Sequence, residues 1–182
     1  MKLFSASTSA TRPITDRVKQ ALFDVLANYG LPQGRIVADL FCGVGSLGLE
    51  ALSRQAQFVT FVEKERSVIE VLQRNIAKAG FADCSEVVRA DIFNRADAGL
   101  RRRPYGLVFV DPPYADSQNV QPSSPLGELL LKLSNRLARG AVVVLRTSKQ
   151  SDLLDAYGHL KAIEKRVWGT MCVTMFCSQR NE

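Results

Sequence analysis

"RIVADLFCGVGSLGLEALSRQ", residues 35–55, decides the fold. Arg35–Cys42 is a β-prone apolar run, and Gly45–Gln55, with leucines at 47, 49 and 52, reads as a helix. Gly43, Gly45 and Gly48 join them in a Gly-x-Gly-x-x-Gly pattern. Glycine lets the backbone turn tightly there and approach a ligand closely, and the N–H groups at the helix start face that ligand. A buried strand that feeds such a turn and then a helix opens a strand–helix–strand unit.

Outward from this stretch the alternation continues. Strand-like runs occupy 57–64, 85–91, 105–111 and 141–147. Helix-like segments occupy 65–80, a short stretch near 94–100, and 124–140. In "ERSVIEVLQRNIAKAG" (65–80), Val68, Leu72, Ile76 and Ala79 make one apolar face, and Gly80 stands where a C-cap belongs. The next helix is expected to run to 138 and stop at Gly140 in the same way. Continuous apolar strands separated by helices predict an α/β fold, a mostly parallel sheet covered on both faces. The end differs, because Gly169–Thr170 between "HLKAIEKRVWG" (159–169) and "MCVTMFCS" (171–178) signals a hairpin and an antiparallel edge. Ahead of everything, 15–30 reads as a helix capped by Thr15 or Asp16, with Val18, Leu22, Val25 and Leu26 on one face. With no repeat or linker, one domain over 1–182 is expected: an N-terminal segment and helix over 1–30, then a core over 35–178.

Bulk properties narrow the class. Of the 182 residues 46% are hydrophobic and 23% charged, a globular balance. No apolar run approaches the roughly 20 residues that span a bilayer, and "MKLFSASTSATRP" lacks a continuous apolar stretch, so a soluble cytoplasmic protein is expected. The net charge of +6 is uneven: 11 Lys/Arg against 10 Asp/Glu over 1–91, and 13 against 8 over 92–182. Such an excess suits a polyanion such as nucleic acid, although it serves solubility equally well. Cys42, Cys84, Cys172 and Cys177 form no Cys-x-x-Cys and stand beside one histidine, His159, so no metal site and no thiol nucleophile is expected.

Four acids end four successive strands: Asp39, Glu63, Asp91 and Asp111. Ligands of open α/β sheets bind outside those strand ends. Glu63, 20 residues after Gly43, is placed to accept from ribose hydroxyls. That spacing serves a dinucleotide and S-adenosylmethionine alike. Asp39 favours the second, because a carboxylate beside the loop repels a pyrophosphate but attracts an ammonium or sulfonium; it could also simply cap a turn. Asp91 can accept from the adenine amine, with Ile92 against the ring, or act as a plain helix N-cap. Phe41 and Lys64, flanking the loop and Glu63, complete the expected cofactor-binding set.

"VFVDPPYAD", 108–116, carries the chemistry. Proline ends a ladder because it has no N–H, and two in a row make the loop rigid. An exocyclic amine is a poor nucleophile while its lone pair is delocalised into the ring. Asp111 through its carboxylate and Pro112 through its carbonyl can both accept from such an NH₂ and favour the pyramidal geometry that attacks a methyl group. Pro113 stiffens the turn, and Tyr114 offers a face on which an unpaired or flipped base can stack. An acid–proline turn that merely closes a strand is the bland alternative.

These residues resemble class I S-adenosylmethionine-dependent amino-methyltransferases in "DLFCGVGSLG" (39–48) and "DPPY" (111–114). "TRPITDRVKQALFDVL" (11–26), "DLFCGVGSLGLEALSR" (39–54), "FVE" (61–63) and "VFVDPPY" (108–114) are more closely similar to the RsmD family, bacterial methyltransferases of guanine N2 in 16S ribosomal RNA. The resemblance covers about residues 11–178. It implies a Rossmann-like seven-stranded sheet of order 3-2-1-4-5-7-6, a monomer, and a substrate of ribosomal RNA or a small-subunit particle. It also implies that the Arg12–Arg17 segment lies near the cleft. Two departures stand out: only 11 residues precede Arg12 where the family carries a longer basic segment, and the family's Ser-Arg-Gly-Ala is here Ser53-Arg54-Gln55-Ala56.

The rivals are a DNA adenine-N6 methyltransferase, which shares the Asp-Pro-Pro-Tyr motif but usually needs a separate reading domain, an NAD-dependent oxidoreductase, and a non-catalytic RNA- or cofactor-binding module. RNA-contact candidates are Arg12, Thr15, Arg17, Arg146 and Lys149. Arg101, Arg102 and Arg103 are expected in a loop at the opposite end of their strand from Asp111. His159 is expected near a strand start, and Trp168 packed in the hairpin. The loop 115–125, the longest, is expected to order when RNA binds.

Overall fold

The computed structural model describes residues 3–5, 14–94 and 104–180. The expected elements near 94–100, Arg101–Arg103 and Arg12 lie outside them. Strand β1 (Ile36–Leu40) is followed by helix α2 (Ser46–Ser53), β2 (Phe58–Glu63), α3 (Arg66–Ala79), a 3₁₀ turn (Ala82–Cys84) and β3 (Ser85–Arg89). Then come β4 (Tyr105–Val110), α4 (Pro125–Ser134), β5 (Val142–Ser148), β6 (Ala156–Tyr157), β7 (Leu160–Trp168) and β8 (Met171–Ser178). Helix α1 (Asp16–Ala27) precedes them all. Its cap is Thr15, whose hydroxyl accepts from the Val18 N–H at 3.4 Å.

The sheet order is β3-β2-β1-β4-β5-β8-β7-β6. The first five strands run parallel, and β8 and β7 return antiparallel around Gly169–Thr170, with Trp168 opposite Met171. The expected seven-stranded order is thus present with one addition, because the two-residue β6 pairs on the far side of β7.

Strands β1, β2, β4 and β5 alternate between two cores. Val37, Val59, Phe61, Leu107, Phe109, Val142 and Val144 face α1, α2 and α3, where Phe23, Leu26, Leu52 and Leu72 meet them. Ala38, Leu40, Val62, Val108, Val110, Val143 and Leu145 face the α4 side chains Leu126, Leu129, Leu130 and Leu133. The period-2 pleat therefore decides which strand-end side chains share a face.

Two expectations are corrected. Helix α4 ends at Ser134, four residues short, with Asn135 as its cap; Gly140, at φ 81°, instead turns the chain into β5 and donates its N–H to Ser178 O at 2.9 Å. The loop 115–125 needs no RNA to hold it in place. Val120 is 1% exposed, its carbonyl accepts from the Tyr157 hydroxyl at 2.6 Å, and Ser151 Oγ donates to Ser117 O at 2.8 Å. Gly127 lets it pack closely, since a Cβ there would lie 2.0 Å from Gln121 O.

The glycine that the family places after Ser-Arg is Gln55 here, and its φ is 67°. It follows the C-cap of α2 in the left-handed region, where a side chain is strained and glycine is not. Replacing Gln55 with glycine relieves that strain and returns part of the gain to unfolded-chain entropy. The expected outcome of Gln55→Gly is a rise in the urea midpoint at unchanged slope, equal to about 0.5–1 kcal/mol.

Candidate active site

The C-terminal ends of β1, β2, β4 and β5 form one edge, and the chain order reverses between β1 and β4. Open α/β sheets bind ligands at that crevice. The three loop glycines do different work there. Gly43, at φ 55°, has nothing within 4 Å of the place a Cβ would occupy, so the loop stays open at this point. Gly45, at φ 90°, caps α2 and lies under Leu72, whose Cδ1 would be 2.5 Å from a Cβ. Gly48 is a packing glycine: a Cβ there would meet Phe61 Cε1 at 2.3 Å, so α2 approaches β2 more closely than any side chain allows.

Phe41 enters the loop at φ 61°, a left-handed conformation uncommon for a bulky residue. Its ring packs against Phe93, centroids 5.0 Å apart. Asp39 is 1% exposed and accepts from the Gly48 N–H at 2.8 Å. Burial, only partly offset by that bond and reinforced by the charges of Asp111 and Glu63, pushes its carboxyl up to about 8. Glu63 accepts from Gly43 N–H at 3.0 Å with one oxygen, and from Lys64 and Glu65 N–H at 2.8 and 3.0 Å with the other. A carboxylate offers about four acceptor positions, so roughly one remains for a ligand hydroxyl.

Alternation places Asp39, Glu63 and Asp111 on one face, since each lies two residues beyond Val37, Phe61 or Phe109 in the α1–α3 core. The Asp111 carboxylate forms an ion pair through Oδ1 with Arg146 Nε. Burial pushes this carboxyl up to about 6, and Arg146 holds it below where burial alone would take it. Pro112 is buried, Pro113 half-buried, and the Tyr114 ring is 58% exposed. The Pro113 carbonyl is taken by the N–H groups of Asp116 and Ser117, at 3.0 and 3.2 Å. Among the described residues no backbone N–H takes that of Pro112.

The remaining candidates divide. Asp91 closes a turn, accepting from Phe93 N–H at 3.1 Å and from Asn94 Nδ2 at 3.0 Å. Ile92 is 2% exposed and packs in the α4-side core, away from the face that carries the acids. Lys64 is exposed, and its carbonyl accepts from Arg89 Nε at 3.2 Å. Thr15 and Arg17 are exposed at the start of α1; Lys19, one turn on, reaches Ser46 Oγ at 3.5 Å and so ties α1 to the start of α2. Lys149 is exposed directly after β5. His159 is exposed in the turn before β7, and Trp168 packs partly on the α1–α3 core. All four cysteines are free thiols. Among the described residues no group of three or more acids, histidines and cysteines converges as a metal site, and no helix is long and apolar enough to cross a membrane.

Asn75 was not singled out from the sequence, yet it is fully buried and supports the loop. Its Nδ2 donates to Val44 O at 3.0 Å and to Phe4 O at 3.1 Å, and its Oδ1 accepts from Phe4 N–H at 2.8 Å. The available signal was its position: an asparagine seven residues after Val68 and three after Leu72, on the apolar face of α3. Phe93 was visible only as an apolar residue beside Ile92; its contact with Phe41 is tertiary.

A mostly parallel sheet of this order, with a glycine loop after β1 and Asp-Pro-Pro-Tyr after β4, defines a class I methyltransferase. A family model described as "Conserved hypothetical protein 95" matches residues 1–177. "Ribosomal RNA small subunit methyltransferase D" of Haemophilus influenzae is 34% identical over 158 residues, covering 84% of this chain and 76% of that one. The protein of the same name from Escherichia coli K12 is 40% identical over 116 residues, covering 62% and 54%. Among solved structures, "Putative methyltransferase yhhF from Escherichia coli" superposes with a TM-score of 0.82 at 27% identity, over 100% of this chain and 93% of that one. The chain belongs to this family, that of ribosomal RNA small subunit methyltransferase D, or RsmD.

The buried Asp39 has a measurable signature. Its folded carboxyl titrates near 8 against 3.8 for an ordinary aspartate, so the folded state holds the proton more tightly. Stability contributed by the protonated acid is present at low pH and is lost as pH rises toward 8. Asp111 adds a similar loss that is largely complete near 6. Between pH 6 and 8 the wild-type protein is expected to lose about 2 kcal/mol in urea denaturation. Asp39→Asn, which keeps an oxygen for Gly48 N–H, is expected to lose little over the same interval.

Proposed function

We propose that this protein transfers a methyl group from S-adenosylmethionine to the exocyclic N2 of a guanine in 16S ribosomal RNA. The observation that carries the reading is the meeting of Asp111, Pro112 and an exposed Tyr114 with the glycine loop at one sheet edge. The ligand chemistry fits. The side chains gathered at the loop are the carboxylates of Asp39 and Glu63, which suit a cationic ligand without phosphate, and the loop is open above Gly43. Asp39, reluctant to ionise while buried alone, gains from a nearby cation. Glu63 has capacity left for a ribose hydroxyl, and the Phe41–Phe93 pair gives an apolar wall. When bound, S-adenosylmethionine supplies an electrophilic methyl group on a sulfonium.

The protein's own work is on the acceptor. Asp111 and the unclaimed carbonyl of Pro112 accept the two amine hydrogens and draw the lone pair out of conjugation. The two prolines hold both acceptors in place before the base arrives, so little ordering remains. Tyr114 stacks on the base, a contact worth about 1–3 kcal/mol. The surplus proton leaves the methylated amine by way of the Asp111 carboxylate to solvent. RNA as the target agrees with family membership and with the basic balance of the second half of the chain. The substrate is the ribosomal RNA itself or the small-subunit particle.

Labelled methyl transfer to small subunits, naked 16S RNA and DNA, followed by nucleoside analysis, tests this directly. N2-methylguanosine is the expected product; N6-methyladenosine, or label in DNA alone, would overturn the reading. Asp111→Ala is expected to lower kcat by at least about 100-fold while calorimetry still shows cofactor binding. Tyr114→Ala is expected to weaken turnover by roughly 5- to 150-fold, mostly through KM.

A further inference from the structure

Arg146 looked from the sequence like a cation for RNA phosphates. The structure turns it to the catalytic acid instead. Strand β5 pairs with β4 in parallel, with Leu145 beside Val110, so the next residue on each strand, Arg146 and Asp111, are neighbours. Both follow residues of the α1–α3 core, Val144 and Phe109, by two positions, so both side chains emerge on the same face. The guanidinium meets Asp111 Oδ1 through Nε, while Nη1 reaches Met171 Sδ at 3.9 Å on β8. The side chains are only 19% and 17% exposed, so the pair is largely withdrawn from solvent.

We propose that Arg146 is a positioning residue: its guanidinium keeps the Asp111 carboxylate charged and aimed, leaving the second oxygen for the amine of the base. This rests on the reading of Asp111 as the amine's acceptor. A neutral carboxylic acid would lose half its acceptor capacity and could present its own O–H to the amine. Burial favours that neutral acid. The other acids of this face, Asp39 on β1 and Glu63 on β2, supply no countercharge, and Arg146, from β5, is the cation that opposes burial. Arginine suits the task because it stays charged at every working pH and its planar fork fixes the direction of the bond. Removing one partner of a pair withdrawn from water leaves the other without compensation.

The test follows the acid as well as the rate. In protein labelled with ¹³C at aspartate carboxyls, the Asp111 resonance is identified by its absence from Asp111→Asn. It is expected to titrate about 1–3 pH units higher in Arg146→Met than in wild type. The acid limb of the kcat profile should move with it, giving about a tenfold loss at pH 7 that is recovered near pH 9. Arg146→Lys, which keeps the charge, should restore most of the carboxyl titration and part of kcat, and it guards against a failure of Arg146→Met to fold. An unmoved carboxyl and pH profile with a raised KM for RNA would overturn the proposal in favour of a phosphate contact. A shifted carboxyl in an enzyme that still turns over as Asp111→Ala would instead remove the acceptor reading on which the proposal stands, while leaving the ion pair intact.

Discussion

The hydrogen bond from Gly48 N–H to the buried carboxylate of Asp39 joins the central strand to the helix that opens the ligand site. Much depends on it. It fixes where α2 begins, and so where Gly43 and Gly45 turn and which way the first helical N–H groups face. It works only because residue 48 has no side chain, which lets α2 settle onto Phe61. Glu63 repeats the arrangement from the next strand by accepting from Gly43, and Asn75 completes it from α3 through Val44. The loop is thus held by three side chains from three elements, and a ligand meets it already shaped.

That rigidity comes with an electrostatic cost. Three carboxylates stand on one sheet face, two of them largely out of water, and burial raises both Asp39 and Asp111 above the ordinary aspartate range. The two are relieved differently. Asp111 has a built-in cation in Arg146, whereas Asp39 has a backbone N–H. In the function proposed above, the sheet edge divides into a donor side over β1 and β2 and an acceptor side over β4 and β5, where acid, carbonyl and aromatic face converge. A family of ribosomal RNA methyltransferases is a natural home for that division.

How far the sequence reaches depends on the range of the interaction. The glycine loop, its flanking strand and helix, and the Asp-Pro-Pro-Tyr turn are local patterns, and each is found where its residues predict. The α4 terminus was misplaced because Gly140 marks a left-handed turn, and such a turn serves a strand entry as well as a helix end. The loop 115–125 read as one that orders when RNA binds; Tyr157 and Ser151, which hold it, arrive from segments more than 30 residues further along the chain. Asp91 and Ile92 fit an adenine contact by position, yet the chain turns at Asp91 and Ile92, in that turn beyond β3, packs into the α4-side core.

The amino-acid sequence alone determined the alternation of strands and helices, the antiparallel finish, the four acids near strand ends and the rigid Asp-Pro-Pro-Tyr turn after β4. These follow from periodicity, backbone freedom and functional-group chemistry, all of which act within a few residues. Only the tertiary structure decided which side of the sheet each acid occupies, that Gly48 is a packing glycine, that Asn75 carries the loop, and that Arg146 meets Asp111. Those outcomes depend on strand order and register, which bring residues 35 positions apart in the chain to adjacent places on one edge. Burial then changes what a carboxylate or guanidinium can do there, and no local pattern records it.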